Sequence, residues 1–478
     1  MEIKELMALP FEQIQKELIS QKASIDYENN MKQYGIKDHN VMQASTRPNK
    51  VVTVDENGVS TTKSVPVARL PLAYQKKIVK LTVAFLLGNK IQFNSTPEDD
   101  DQKAVLSMLK TLWKDCKLDY KNKALARLLF SECQVAELWY FVEDATLWQK
   151  LLSKFNIGTI QWSVRMRILA QSLGDTLYPY YDGTGDMVAF SRGYEITVSG
   201  EKVKRFDIYT KDLTYYYQER DGAWTLAEMA GGRNPAPNAL GKIPVIYYSQ
   251  ELPDWSDVQN LIDRLETAIS NFADTNDYFA SPMIKVKGEV TGFASKGESG
   301  KIIQLAGDAE ASYLAWEQAP DATKLEFETL KSLIHSLSQT PDIAFDQMKS
   351  LSNISGIALK LMFLDAHLKV REKEEVFGEG IQRRINLLKS AIGTIIAAKL
   401  EEASNILEVE PIFTPYLPNN EVEIIDMLST ATGAKATMTQ KRAVELNPFV
   451  SDAEAEFLAL KEEENDSVAR QTQESLNV

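Results

Sequence analysis

The sequence predicts an α+β protein, mainly helical, and three observations carry that prediction. Apolar residues recur at helical spacing over residues 1–42, 72–87, 102–135, 256–279, 321–339 and 357–406. Short runs of β-branched and aromatic residues, separated by Gly or Asp turns, fill residues 136–250 and return on a smaller scale between 283 and 316. Across 478 residues, 44% hydrophobic and 25% charged content excludes wholesale disorder and a fibrous repeat, and the length implies roughly two to four structural units.

The elements follow in order. Phe11, Ile14, Leu18 and Ile19 mark an N-terminal helical region that Gly35 interrupts. Residues 51–54 and 59–62 flank a turn ending at Gly58 and read as a hairpin. Ile78, Leu81 and Phe85 place a helix over 72–87, with Gly88 and Asn89 as its stop. Leu106, Leu109, Leu112 and Trp113 form one stripe of a helical pair over 102–135. Residues 136–250 then predict an antiparallel meander, turning at Gly183, Gly200 and Gly222.

The next region is the most legible. Ser256 and Gln259 form a capping-box pattern for a helix with Val258, Leu261, Ile262, Leu265, Ile269 and Phe272 on one face. Asp257, Asp263, Glu266, Asp274 and Asp277 lie on its other face. After short strand-like pieces, Asp321 is placed as the cap of a second helix that Pro341 ends. A loop leads to a long helical stretch over 357–406, with a kink expected at Gly378 and Gly380. Its apolar positions (Ile357, Leu361, Leu364, Leu368, Val376) hold no sustained heptad, which argues against a coiled coil. The chain closes on helices near 422–428, 437–444 and 454–460, then a polar tail.

Charge and motifs exclude more than they assign. The net charge is −14, and residues 401–478, with 16 acidic and 5 basic side chains, hold −11 of it. Such a chain lacks the basic balance of a sequence-specific DNA binder, so any contact with nucleic acid should not grip it. The best apolar run, residues 391–398, is far shorter than the roughly 18–20 residues of a membrane span, and no secretory signal opens the chain. Cys116 and Cys133 read as buried small hydrophobes in a reducing compartment. His39, His335 and His367 stand apart, outside any metal-binding spacing. Lys242 and Lys301 each follow a Gly but precede Ile where a phosphate loop needs Ser or Thr, and no Gly-x-Ser-x-Gly elbow exists. Paired acids such as Glu374 and Glu375 read as solvated helix faces. No catalytic, cofactor or metal site is expected.

The ordered set of elements resembles the bacteriophage portal proteins, of the type found in siphophages with long non-contractile tails. It comprises the acidic helix, a small mixed insert, a second helix, a loop ending in the Ser-Asn-Ile-Ser-Gly of 352–356, and the long helix. Segments 34–39, 87–91, 240–245, 417–421 and 447–452 agree in order, so the likeness spans roughly residues 30 to 460. It implies a ring, usually of twelve subunits, at one capsid vertex in the virion, assembled in the host cytoplasm. Double-stranded DNA passes non-specifically through its tunnel for packaging and ejection. Implied partners are the terminase large subunit, a head–tail adaptor, and the major capsid and scaffolding proteins, with no membrane.

By the same resemblance, residues 1–255 would be wing, 256–279 and 321–339 stem helices, 280–320 clip and 340–355 tunnel loop. Residues 356–410 would be the long kinked wing helix, 411–460 the crown and 461–478 an acidic tail. The loop would present Asp342, Phe345, Asp346, Met348, Lys349, Asn353 and Lys360 to DNA. Asp342 and Asp346 would repel phosphates, and Lys349 and Lys360 would either steady the duplex or stand merely solvated. Asp263, Glu266 and Asp274 would face the tunnel, and Lys285, Lys287 and Trp316 would meet partners at the clip. Two other readings stay open at this point. One is a non-ring interaction or adaptor protein, the other a hydrolase using unrecognised carboxylates.

Overall fold

The structure, a computed structural model, describes residues 3–56, 59–143, 162–198, 200–228, 233–279, 284–288, 290–293, 303–305, 310–313, 320–342, 361, 363–416, 421–433, 435–447, 449–450, 453 and 455–464. The chain divides into two units. The larger combines Met1–Pro341 with Asp365–Pro415, and the smaller combines Asp342–Leu364 with Tyr416–Val478.

The larger unit opens with α1 (Ile3–Leu6), α2 (Phe11–Ser20) and α3 (Tyr27–Tyr34), the last capped by Asp26 accepting the Asn29 amide. Hairpin β1 (Lys50–Glu56) and β2 (Val59–Val65) follows in simple antiparallel register. Helix α4 (Tyr74–Leu87), strand β3 (Gln92–Asn94), α5 (Asp100–Asp115) and α6 (Leu118–Glu132) come next. Asp99 starts α5 by accepting the Gln102 amide at 2.7 Å. Of the predicted stripe on α5, Leu109, Leu112 and Trp113 are buried and Leu106 is half-buried; Leu125, Leu129 and Phe130 of α6 are buried too.

Strands β4 (Gln134–Glu143), β5 (Trp162–Leu169), β6 (Asp175–Tyr181), β7 (Met187–Val198), β8 (Glu201–Thr210), β9 (Leu213–Arg220), β10 (Ala223–Leu226), β11 (Ala236–Pro237) and β12 (Val245–Ser249) build two sheets. The expected meander is the six-stranded sheet β10-β9-β8-β7-β6, with β11 added beside β9. The other sheet, β12-β4-β5, is not sequential, because β12 returns across some 100 residues to pair with β4. Alternation on these strands buries Ala136, Leu169, Leu177, Phe190 and Tyr247 in one cluster. On the opposite face of the meander, Phe11, Ile14 and Leu18 of α2 pack on Phe206 and Ile208.

Helix α7 (Gln259–Phe279) and helix α8 (Pro320–Leu337) pack together, with Phe272 edge-on to Phe327 and Arg264 paired to Glu326 at 2.6 Å. Between them lie β13 (Ile284–Lys287), β14 (Val290–Phe293), β15 (Ile303–Leu305) and β16 (Glu310–Tyr313), nested so that β13 pairs β16 and β14 pairs β15. The ends of both helices differ from the sequence reading. A 3-10 turn, Ser256–Val258, precedes α7, so the α-helix opens at Gln259. Helix α8 starts at Pro320, whose missing N–H costs nothing in a first turn. It ends where Gln339 turns left-handed and the Thr340 amide reaches the His335 carbonyl at 3.0 Å, just before Pro341.

The long helix α9 (Leu364–Ala391) runs unbroken through Gly378 and Gly380, so the expected kink is corrected. Gly380 serves packing instead. A Cβ there would overlap the Tyr248 ring, whose Cδ1 would lie 2.7 Å away. The interruption falls later, at a π-turn, Ile392–Ile396, and at Ala397, before α10 (Glu401–Ile406). Gly393 sits in that turn because a Cβ would stand 2.9 Å from Glu401 Cα. Strand β17 (Glu410–Ile412) then pairs with β3. In the smaller unit, α11 (Glu421–Thr432) buries Leu428, and α12 (Gln440–Leu446) is capped by Thr439 and buries Val444.

Candidate functional site

Helices α7, α8 and α9 are the longest in the described residues, and three polar clusters hold them in place. The first fixes α7. His39, Asn40, Arg47, Ala68, Leu70 and Leu72 all bond to side chains of α7, its acids among them. His39 Nδ1 meets Glu266 Oε1 at 2.7 Å, and the Leu72 amide donates to the same oxygen at 2.7 Å. Arg47 donates to Asp274 at 2.6 Å and to Asn271 at 2.7 Å, while the Ala68 amide donates to the other Asp274 oxygen. Asn40 donates to Asp263 at 2.9 Å.

These bonds engage Glu266 and Asp274, expected to face a tunnel, with residues of the same chain. Glu266 is fully buried and the Asp274 side chain is only 13% exposed, and these donors offset the hydration that burial takes from each carboxylate. Asp263 is half-buried.

The second cluster joins the three helices at one end. Asp254, in the turn before α7, pairs with Lys373 at 3.1 Å and lies 3.7 Å from Lys369. Lys369 also donates to the Ser338 carbonyl at the end of α8, at 3.0 Å. The start of α9 is thereby tied to the end of α8. Among the loop residues named from the sequence, only Asp342 is described; Phe345, Asp346, Met348, Lys349, Asn353 and Lys360 lie outside the described residues, as does Trp316. Lys285 and Lys287 are exposed on β13.

The third cluster anchors the middle of α9. Arg384 and Glu137 are both fully buried and form a two-pronged pair through Nε, at 2.9 Å, and Nη2. Tyr248 Oη and Trp139 Nε1 also donate to Glu137, at 2.6 and 3.0 Å, and Arg384 Nη1 donates to Asn122 at 2.6 Å. Sequence reasoning missed this cluster, although Arg384 falls three residues after Ile381 and four before Leu388, on the buried stripe.

With their inner faces fixed, the helices leave apolar side chains outside. Leu325, Leu333 and Leu337 lie, with Thr329, on one i, i+4 ridge that winds about 120° around α8, and the three leucines are 65%, 40% and 55% exposed. Leu364 and Leu368 are exposed on the first turns of α9.

Nothing among these clusters forms a catalytic or metal-binding arrangement. Among the described residues, no three His, Cys, Asp or Glu side chains are grouped to hold a metal ion, and no helix is long and apolar enough to cross a membrane. His335 bonds to the Thr340 carbonyl, and burial lowers the pKa of His367. Cys116 and Cys133 are buried free thiols, which burial pushes up to about 11 and about 12, so neither is a ready nucleophile.

The family model described as "Phage portal protein, SPP1 Gp6-like" matches residues 16–469. The curated portal protein of Bacillus phage SPP1 is 24% identical over 304 residues. That alignment covers 60% of this chain and 59% of the relative, so the chain spans about three fifths of the length of that protein. A solved structure titled "Neck of empty GTA particle computed with C6 symmetry" aligns over 78% of this chain and 90% of its own, with a TM-score of 0.41 and 11% sequence identity.

Proposed function

The chain belongs to the SPP1 Gp6-like family of phage portal proteins, and from that premise we propose that copies of it close into a ring at one capsid vertex, through which DNA is packaged and ejected. The observation that carries this reading is the uncovered leucines along the winding ridge of α8, beside the anchored α7. An apolar stripe of that length on a helix fixed from behind is what a neighbouring subunit would cover. Helices α7 and α8 take the stem role, the nested strands β13–β16 the clip, residues 340–355 the tunnel loop and residues 411–460 the crown. Twelve copies is the expected number.

A conduit needs no active site. The acidic balance suits a passage that must let phosphates slide, since like charge keeps DNA from sticking. The motor that drives packaging is a separate terminase, docking with the later head–tail adaptor near the exposed Lys285 and Lys287. Capsid and scaffolding proteins meet the outer surface. Negative-stain electron microscopy of the purified chain tests the reading. Round particles with a central hole are expected, and elongated single subunits at every salt concentration would favour a non-ring adaptor instead.

A further inference from the structure

A cleft of about 890 Å3 lies between the end of α4, the segment leading into β3, and the turn joining α5 to α6. Lys90, Lys110, Lys114, Lys117 and Lys123 edge it, all five exposed. Among the described residues none of them takes part in an ion pair. The one lining carboxylate, Asp119, is engaged by the Trp113 indole N–H at 2.8 Å. Five lysines thus gather around one concavity of a chain whose net charge is −14, with Asp115 close enough to feel the charge of Lys114.

Helix chemistry explains only part of this. Lys114 sits in the last turn of α5, where a cation complements the helix dipole. Lys110 lies one turn back, so the two repel each other at i, i+4. Lys117 occupies a left-handed position, φ 53°, that a side chain enters at a cost of about 1 kcal/mol. Lys90 and Lys123 come from separate elements. Beneath these charges the floor is apolar: Leu87, Ile91, Trp113 and Leu118 are buried, and Phe93 stands edge-on to Trp113 at 5.0 Å. Tyr120 rises at the rim, 77% exposed.

We propose that this cleft docks an acidic peptide segment of a partner protein, its carboxylates meeting the lysines and one apolar or aromatic side chain seated on the floor. Two features favour a peptide over nucleic acid. All five cations are lysines, compact point charges without the planar fork that reads phosphate in pairs. The site is also a concavity with an apolar base, shaped for a side chain, whereas a duplex rests on an open charged surface. The proposal stands whether or not the chain forms a ring.

The test uses the full chain and a fluorescein-labelled, glutamate-rich peptide with one central Phe, followed by anisotropy. Controls are its all-glutamine counterpart, its Phe→Ala version and a single-stranded oligo-dT. The glutamate peptide should bind, weaken with added salt, and lose at least tenfold in affinity in K110E/K114E/K117E. The milder K110Q/K114Q/K117Q should also weaken it, with an unchanged unfolding midpoint, while K16E/K37E on other elements should not. The glutamine and Phe→Ala peptides should bind more weakly than the parent. Equal binding by wild type and both triple variants would overturn the proposal. So would lysine-dependent capture of oligo-dT without the peptide. A change of oligomeric state in the glutamine variant would make the cleft a contact between copies of this chain, which also overturns it.

Discussion

Arg384 on the long helix α9 and Glu137 on strand β4 are fully buried and hold each other by a two-pronged ion pair. Glu137 takes two further donors, Tyr248 and Trp139, so its buried charge is well solvated by protein. The pair decides how α9 seats on the sheet. Arg384→Met should cost roughly 3–5 kcal/mol, because it strands a buried carboxylate. The double variant Glu137→Leu with Arg384→Met should cost less than the single. Urea unfolding of both variants checks this, and a double variant worse than the single would show that the pair is not the source.

The two glycines of α9 should behave oppositely. Gly378→Ala places its methyl in ordinary contact with Phe413 at 3.7 Å and should stabilise by up to about 1 kcal/mol, as alanine does in a helix. Gly380→Ala collides with the Tyr248 ring and should destabilise by roughly 1–3 kcal/mol. Equal effects in thermal melts would mean that α9 does not press on Tyr248.

Much of this was legible in the sequence. Helical period placed α4 through α9, and the turn residues placed the meander. The roles of buried polar residues were not legible, because period identifies a face without naming its partner. Glu266 lies four residues after Ile262 and four before Ser270, inside the buried column of α7, yet it read as part of an acidic outer face. Its partners, His39 and the Leu72 amide, are some 200 residues away in sequence. The kink assigned to Gly380 failed for the same reason, since glycine signals flexibility or close approach and only Tyr248 tells them apart. The pairing of β12 with β4 needed the long return that no local signal marks.

Two buried groups should make stability fall as pH rises, in separate windows. Burial pushes the Asp207 carboxyl up to about 6, against the opposing pull of Arg192. The native state therefore holds a proton that the unfolded chain releases near pH 3.9, and stability declines between about pH 4 and 6. For His39, burial acts to lower the pKa, but the hydrogen bond and charge of Glu266 outweigh it and raise it. Its contribution is complete below about pH 6.5 and is lost as pH rises through the higher folded value. Asp207→Asn should flatten the lower window and His39→Gln the upper one, in unfolding midpoints collected from about pH 4 to pH 9. Unchanged profiles in both variants would contradict these assignments.

Deleting residues 345–351 should leave assembly nearly intact and impair DNA packaging or retention in infected cells. The helices on either side are held by Lys369 and Asp254, outside the deletion. Loss of assembly, with packaging preserved in whatever rings remain, would assign the segment to subunit contact.

A closed ring built on the outer face of α8 should be visible in native mass spectrometry of the purified chain. The wild-type protein should appear as a single closed oligomer, twelve or a neighbouring number, at low and moderate salt. L325E/L333E should appear mainly as single subunits with the wild-type circular dichroism spectrum, because the substituted side chains are exposed and only the interface is lost. Wild-type protein found only as monomer or dimer across the whole salt range would mean that no such ring forms.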